Sequence, residues 1–269
     1  MRVALEGGLE IAVDERGAGA PLLLLHGFGG SARAWGEEAL AGLARRRVLA
    51  VDLLGHGASD DPPDRARVLL ERVLDDLERV LDAAGVEACP WIGYSMGGRI
   101  ALAAAALRPG RVERLVLESA SPGIGDARER AERRAQDESL AGRIERDGVA
   151  AWAEEWERLP LFAGRAALPA TMRAAFLEQR RANRAPALAA WLRAMGPGEQ
   201  PALWDRLGGI AAPTLVLTGA LDAKFTGLGA RMAAAMPAAE HRVVEGAGHT
   251  VHLEAPGAWV RAVTAFVGT

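Results

Sequence analysis

The sequence predicts an α/β protein, with a mostly parallel sheet, helices on both of its faces and an inserted helical cap. Three observations carry that expectation. Short apolar runs alternate with helix-period stretches, as in strand–helix–strand units whose sheet is covered on both sides. Residues 22–25 are four consecutive leucines, the pattern of a strand buried on both faces. Residues 124–205 lose the strand pattern, turn rich in Arg and Glu, and carry Trp152, Trp156, Trp191 and Trp204. A helical insertion of that kind has to pack on the carboxyl edge of the sheet, where open α/β sheets bind ligands.

In chain order, residues 2–15 read as a hairpin, with Val3 and Leu5 before Gly7-Gly8 and Leu9, Ile11 and Val13 after it. Strands are expected at 22–25, 47–51, 88–93, 114–117, 214–217 and 242–244. Helices are expected at 67–84, which Gly85 stops, and at 96–107, 226–235 and 256–267. Residues 1–123 and 206–269 thus form the core, and 124–205 the cap. A chain of 269 residues is long enough to bury such a core in one unit.

Composition excludes several classes of function. The net charge of −3 offers nothing to a polyanion, so no nucleic-acid partner is expected. No apolar run reaches the roughly 20 residues of a membrane span. The opening Met1-Arg2-Val3-Ala4-Leu5-Glu6 puts an acid where a signal peptide is apolar, so a cytoplasmic protein without membrane attachment is expected. The single cysteine, Cys89, rules out an internal disulfide and reads as a small core residue. Neither a cofactor nor a metal is expected, and the partner is a small-molecule substrate acted on by a monomer. Two scarcities stand out: of the 32 basic residues only Lys224 is lysine, and Tyr94 is the one tyrosine.

The chemistry begins at Gly93-Tyr94-Ser95-Met96-Gly97. A G-x-S-x-G is a weak pattern alone, but between a strand and a helix it marks a nucleophile elbow that lifts the Ser95 hydroxyl clear of the sheet. The Met96 amide is then one oxyanion-hole donor, and the loop His26-Gly27-Phe28-Gly29-Gly30 supplies the other from Phe28. His26 precedes the serine, so it is expected to hold that loop. The acid should follow a late strand, and Asp222 does. Of the later histidines, His241 opens a strand at the wrong sheet edge and His252 belongs to the next helix start. His249, just past the strand at 242–244, is the expected base.

Several further motifs resemble one branch of the α/β-hydrolase fold, the 2-succinyl-6-hydroxy-2,4-cyclohexadiene-1-carboxylate synthases of menaquinone biosynthesis (the MenH family). They are Gly98-Arg99 after the elbow, Glu118-Ser119-Ala120-Ser121-Pro122-Gly123, Trp156 before Pro160-Leu161-Phe162, Gly198-Glu199-Gln200-Pro201-Ala202-Leu203-Trp204 and Asp222-Ala223-Lys224-Phe225. The chain departs from that branch at Gly196-Pro197-Gly198, where a Gly-Thr-Gly is usual. The resemblance implies a carbon–oxygen lyase that eliminates pyruvate from an enolpyruvyl cyclohexene, with Ser95 as proton-abstracting base. An esterase or carbon–carbon-bond hydrolase with the same triad is the alternative. It further implies substrate binding by Tyr94, Arg99, Trp156 and Arg180, and by an early cap arginine at Arg133 or Arg134. Trp156 also suits cap-to-core packing. Lys224 either pairs with a substrate carboxylate or braces the Asp222 loop.

Overall fold

The structure is a computed structural model that describes residues 1–268; Thr269, with which the expected core ends, lies outside the described residues. Its strands are β1 (Arg2–Ala4), β2 (Glu10–Arg16), β3 (Pro21–Leu25), β4 (Arg47–Asp52), β5 (Cys89–Tyr94), β6 (Val112–Glu118), β7 (Thr214–Gly219) and β8 (Ala239–Val244). They form one sheet in the order β1-β2-β4-β3-β5-β6-β7-β8. From β4 to β8 every pairing is parallel, while β2 runs antiparallel to both β1 and β4. The amino-terminal hairpin expected from the alternating residues is therefore present, turned through a short 3-10 segment at Glu6–Gly8.

The helices are α1 (Glu37–Gly42), α2 (Leu70–Ala83), α3 (Met96–Leu107), α4 (Ala127–Asp147), α5 (Val149–Glu157), α6 (Ala170–Arg181), α7 (Ala185–Met195), α8 (Ala223–Ala235), α9 (Val251–Glu254) and α10 (Pro256–Val267). Leu22 and Leu24 face a core cluster with Trp35 and Trp259, while Leu23 and Leu25 face the other cluster with Leu77 and Ile100. The leucine run is apolar throughout because both of its faces are covered. Helices α4 to α7 lie between β6 and β7, and Ile144, Trp152, Leu188 and Leu192 give them a small apolar cluster of their own.

Two expected elements differ in detail. The helix predicted over 67–84 is broken at Leu69, whose extended backbone (ψ 149°) separates a 3-10 turn from α2 and leaves its side chain exposed. Asp64 caps the 3-10 turn through bonds from the Ala66 and Arg67 amides, which fixes an earlier start than apolar spacing shows. The helix predicted at 226–235 begins at Ala223, because the Asp222 carboxylate accepts from the Phe225 amide and caps it. His241 is the third residue of β8 and does not open it.

The turn between β5 and α3 leaves its glycines no room for a side chain. A Cβ at Gly97 would run into the carbonyl of Leu25, and one at Gly93 into that of Gly97. Gly97→Ala is therefore expected to lower the unfolding free energy by about 1–3 kcal/mol. Gly110→Ala, where an added Cβ meets nothing within 4 Å, is the control. Urea-unfolding midpoints of the two variants check this, and equal midpoints would contradict the close approach.

Candidate active site

Ser95 stands between β5 and α3 with φ at 52°, one of two non-glycine residues with positive φ among those described. Its amide donates to the Glu118 carbonyl at 2.9 Å, which ties the turn to the neighbouring strand. Its side chain makes no capping hydrogen bond, so the hydroxyl is left for other work. His249 Nε2 lies 3.2 Å from Ser95 Oγ, and His249 Nδ1 lies 2.6 Å from Asp222 Oδ2. Asp222 accepts from Phe225 through its other oxygen, which orients the carboxylate. The imidazole is buried and meets the Phe225 ring edge-to-face at 4.6 Å. Serine, imidazole and carboxylate thus form one continuous hydrogen-bonded line.

The other histidines are engaged elsewhere. His26 Nε2 accepts from the Leu53 amide, so the proton sits on Nδ1 and is donated to the Gly27 carbonyl. His56 Nε2 accepts from the Gly29 amide. Burial pushes both pKa values below the ordinary histidine range, so both rings are neutral braces for the loop facing Ser95. His252 is enclosed by Glu118 at Nδ1 and the Ala34 carbonyl at Nε2. His241 contacts Thr218. Among the described residues, neither the Phe28 nor the Met96 amide has a backbone partner. Met96 is the first residue of α3, where amides have no intrahelical acceptor and the helix dipole is positive.

The predicted binding residues occupy two groups around Trp156. Trp156 meets Phe28 at 5.6 Å and Phe162 at 6.1 Å between ring centroids, and its buried indole N–H has no partner among the described residues. On one side, Arg99 Nη1 donates to the Met195 carbonyl at 2.8 Å and to Gln200, joining α3 to the chain after α7. Burial lowers the Arg99 pKa to about 10, nearby Arg133 adds to that, and Asp137 opposes it. Arg133 bonds Asp137 at 2.8 Å and lines a cleft with Trp152 and Trp156. Arg134 points away toward Glu199, so the early cap arginine with access to this group is Arg133.

On the other side, Arg180 is buried, ion-paired with Glu157, and lowered to about 10 by desolvation. It shares a cavity with Tyr94 and Phe28. Arg165 lies there too, although nothing in the sequence singled it out. Its Nε and Nη2 both donate to Thr250 Oγ1, at 3.0 and 2.9 Å. With its lone pairs so occupied, Thr250 donates its own proton to the Tyr94 oxygen 3.1 Å away, which leaves the phenol hydrogen to the cavity. Lys224 is exposed in the first turn of α8, 5.8 Å from the Phe225 ring, and the bond that steadies Asp222 there comes from the Phe225 amide.

Residues 20–256 match the alpha/beta hydrolase fold family, and the chain belongs to that class of protein. A putative 2-succinyl-6-hydroxy-2,4-cyclohexadiene-1-carboxylate synthase from Bacillus subtilis (strain 168) is 36% identical over 99% of this chain and 98% of its own length. The synthase of the same name from Salmonella agona (strain SL483) is 35% identical over 88% of this chain and 90% of its own. The solved structure of MenH from S. aureus superimposes with a TM-score of 0.89 at 30% identity, covering 95% of this chain and 97% of that one. The chain belongs to the 2-succinyl-6-hydroxy-2,4-cyclohexadiene-1-carboxylate synthase family. No helix among the described residues is long and apolar enough to cross a membrane.

The neutral, buried loop histidines set a pH dependence. Each has a folded pKa below its unfolded value near 6.5, so the unfolded chain takes up more protons as pH falls through that range. Their contribution to stability is complete above about pH 6.5 and is lost as the pH drops toward the folded values. In urea titrations between pH 7 and 5, His56→Gln should flatten the decline by up to about 1.4 kcal/mol per pH unit. An unchanged slope would mean that His56 takes up its proton as readily in the folded chain as in the unfolded one.

Proposed function

We propose that this protein is a carbon–oxygen lyase of menaquinone biosynthesis. It eliminates pyruvate from 2-succinyl-5-enolpyruvyl-6-hydroxy-3-cyclohexene-1-carboxylate to give 2-succinyl-6-hydroxy-2,4-cyclohexadiene-1-carboxylate. The observation that carries the substrate class is an imbalance of buried charge. Buried Arg99, Arg165 and Arg180, with part-buried Arg133, pair among the described residues with just two carboxylates, Asp137 and Glu157. Desolvating cations without matching anions is costly, so this pocket calls for a ligand that brings carboxylates. A substrate with three of them, on the succinyl chain, the ring and the enolpyruvyl group, meets that demand.

Ser95, activated by His249, takes the proton next to the succinyl carbonyl, and Asp222 holds the imidazole tautomer and stabilises the imidazolium. The Phe28 and Met96 amides stabilise the enolate oxygen that develops, as they would a tetrahedral oxyanion. The electron pair left by the proton moves through the ring and breaks the carbon–oxygen bond. Pyruvate leaves as its enolate and recovers a proton, so the serine and histidine return to their starting forms. Tyr94, Trp156, Arg99, Arg133 and Arg180 bind the substrate, and residues 124–205 act as the cap over it. Arg99 bonds the protein through Nη1, leaving Nε and Nη2 for a carboxylate. Lys224, exposed beside Asp222, would meet an incoming anion before the other binding residues do.

The direct test follows diene absorbance and pyruvate release from the enolpyruvyl substrate. Ser95→Ala should abolish turnover while substrate still binds, and near-normal turnover in it would refute the base assignment. Arg180→Ala should lower kcat/KM by roughly 30-fold to several thousand-fold, from about 2–5 kcal/mol for an unpaired buried charge. Arg180→Lys should rescue poorly, since lysine lacks the planar fork. Arg128, exposed and, among the described residues, ion-paired with Glu132 alone, serves as the silent control. Quenched turnover analysed by intact-protein mass spectrometry should show an unmodified chain. A substrate-sized adduct released by hydroxylamine would instead establish the esterase alternative.

A further inference from the structure

Three elements of the helical insertion converge on one point next to the cavity that Tyr94, Arg165 and Arg180 line. Glu157 ends α5, Arg165 lies in the 3-10 segment Pro160–Ala167, and Arg180 is in the last turn of α6. Both guanidinium groups lie over the Phe162 ring, Arg165 at 4.3 Å and Arg180 at 5.1 Å from its centroid. Arg165 spends Nε and Nη2 on Thr250 and turns Nη1 toward Glu157 Oε1 at 3.2 Å. The same oxygen is ion-paired with Arg180 Nη1, yet among the described residues neither the buried Nε nor Nη1 of Arg180 makes a hydrogen bond. One carboxylate therefore bridges two buried cations and leaves a positive excess.

We propose that Arg165 and Arg180 together form a carboxylate subsite, and that Glu157 occupies it in the unliganded protein as an internal competitor displaced by substrate. This rests on the lyase reading above for the identity of the ligand, and it adds Arg165 and Glu157 to the residues that set specificity. The cavity that Tyr94, Arg165 and Arg180 line measures about 20 Å³, which is room for about one water, so a carboxylate reaches the two guanidinium groups only by displacing the one that already pairs with them. Glu157 is the group able to leave. Its side chain is 21% exposed, against 6% for Arg165 and 9% for Arg180, so it can turn toward water while the two cations stay. Arg165 is anchored by Thr250, next to His249, so its Nη1 edge is fixed relative to the triad. A ligand that must displace an internal anion binds more weakly by the fraction of time the seat is free.

The test uses succinate as probe, titrated calorimetrically into the full-length chain. Glu157→Gln should bind succinate about tenfold more tightly than wild type, since the competing charge is gone. Its thermal midpoint should fall, because two buried guanidinium groups lose their counter-charge. A residue that merely braced the arginines would lower affinity and stability together, so the opposite movement of the two readings is the signature. Arg165→Gln should bind at least about 30-fold more weakly, and Arg165→Lys should recover little. Weaker succinate binding in Glu157→Gln, no detectable binding even in that variant, or unaltered binding in Arg165→Gln each overturns the proposal. If Arg165→Gln does not fold, the Glu157→Gln pair of readings decides alone. Failure of wild type to release pyruvate from the enolpyruvyl substrate would refute the lyase reading, while the succinate titrations would still decide the subsite.

Discussion

The site depends on the turn at Ser95, where β5 passes into α3 with a backbone φ of 52°. A non-glycine residue in that region is strained, and the strain persists because neighbours fix the turn from several sides. Ser95 donates its amide to the Glu118 carbonyl, and Gly97 packs against the carbonyls of Leu25 and His26. The serine is thus referenced to β3 and β6 at once. The loop with Phe28 leaves β3 at that same edge, and Asp222 follows the end of β7. A parallel sheet delivers all these loops to one edge because its strands end in the same direction.

Glu118 shows how far the sheet edge is organised around this turn. Its carbonyl receives the Ser95 amide, and its carboxylate, with no exposed surface, accepts from the backbone and ring of His252 and from Trp259. A buried carboxylate is expensive unless its lone pairs are satisfied, and three donors do so. The network keeps His252 out of the reaction: both of its ring nitrogens are held, while His249, three residues earlier, reaches Ser95 and Asp222. Two histidines so close in sequence are told apart by their partners.

Much of this was legible in the sequence because it is local. The four leucines, the glycines flanking Ser95, and the order serine, acid, histidine each lie within a few residues or follow the rule of strand ends. The break at Leu69 was not legible, since the apolar spacing runs through it and only the Asp64 cap fixes the earlier start. Arg165 was not legible either. It sits among abundant arginines in a short 3-10 segment without periodicity, and its partner Thr250 is 85 residues away. The helical insertion in general is harder to read, because α4 is polar around most of its circumference and buries only Asp137, Ala141 and Ile144. A burial pattern that sparse leaves the choice of facing residues to long-range contacts.

The triad geometry does not distinguish elimination from hydrolysis. A serine beside an imidazole can take a proton from carbon or attack a carbonyl, and the same amides stabilise an enolate or a tetrahedral oxyanion. Hydrolysis also requires water to reach an acyl-enzyme, where the same imidazole would activate it. Phe28, Trp152, Trp156 and Phe162 pack ring against ring beside the site, and the guanidinium groups of Arg165 and Arg180 lie over Phe162. Under the proposed elimination, such cations would orient the substrate by its carboxylates relative to Ser95. On that proposal the outcome is set by where the anions are held relative to that serine, by Tyr94 and Arg99 from the core together with Arg133, Trp156 and Arg180 from the insertion between β6 and β7.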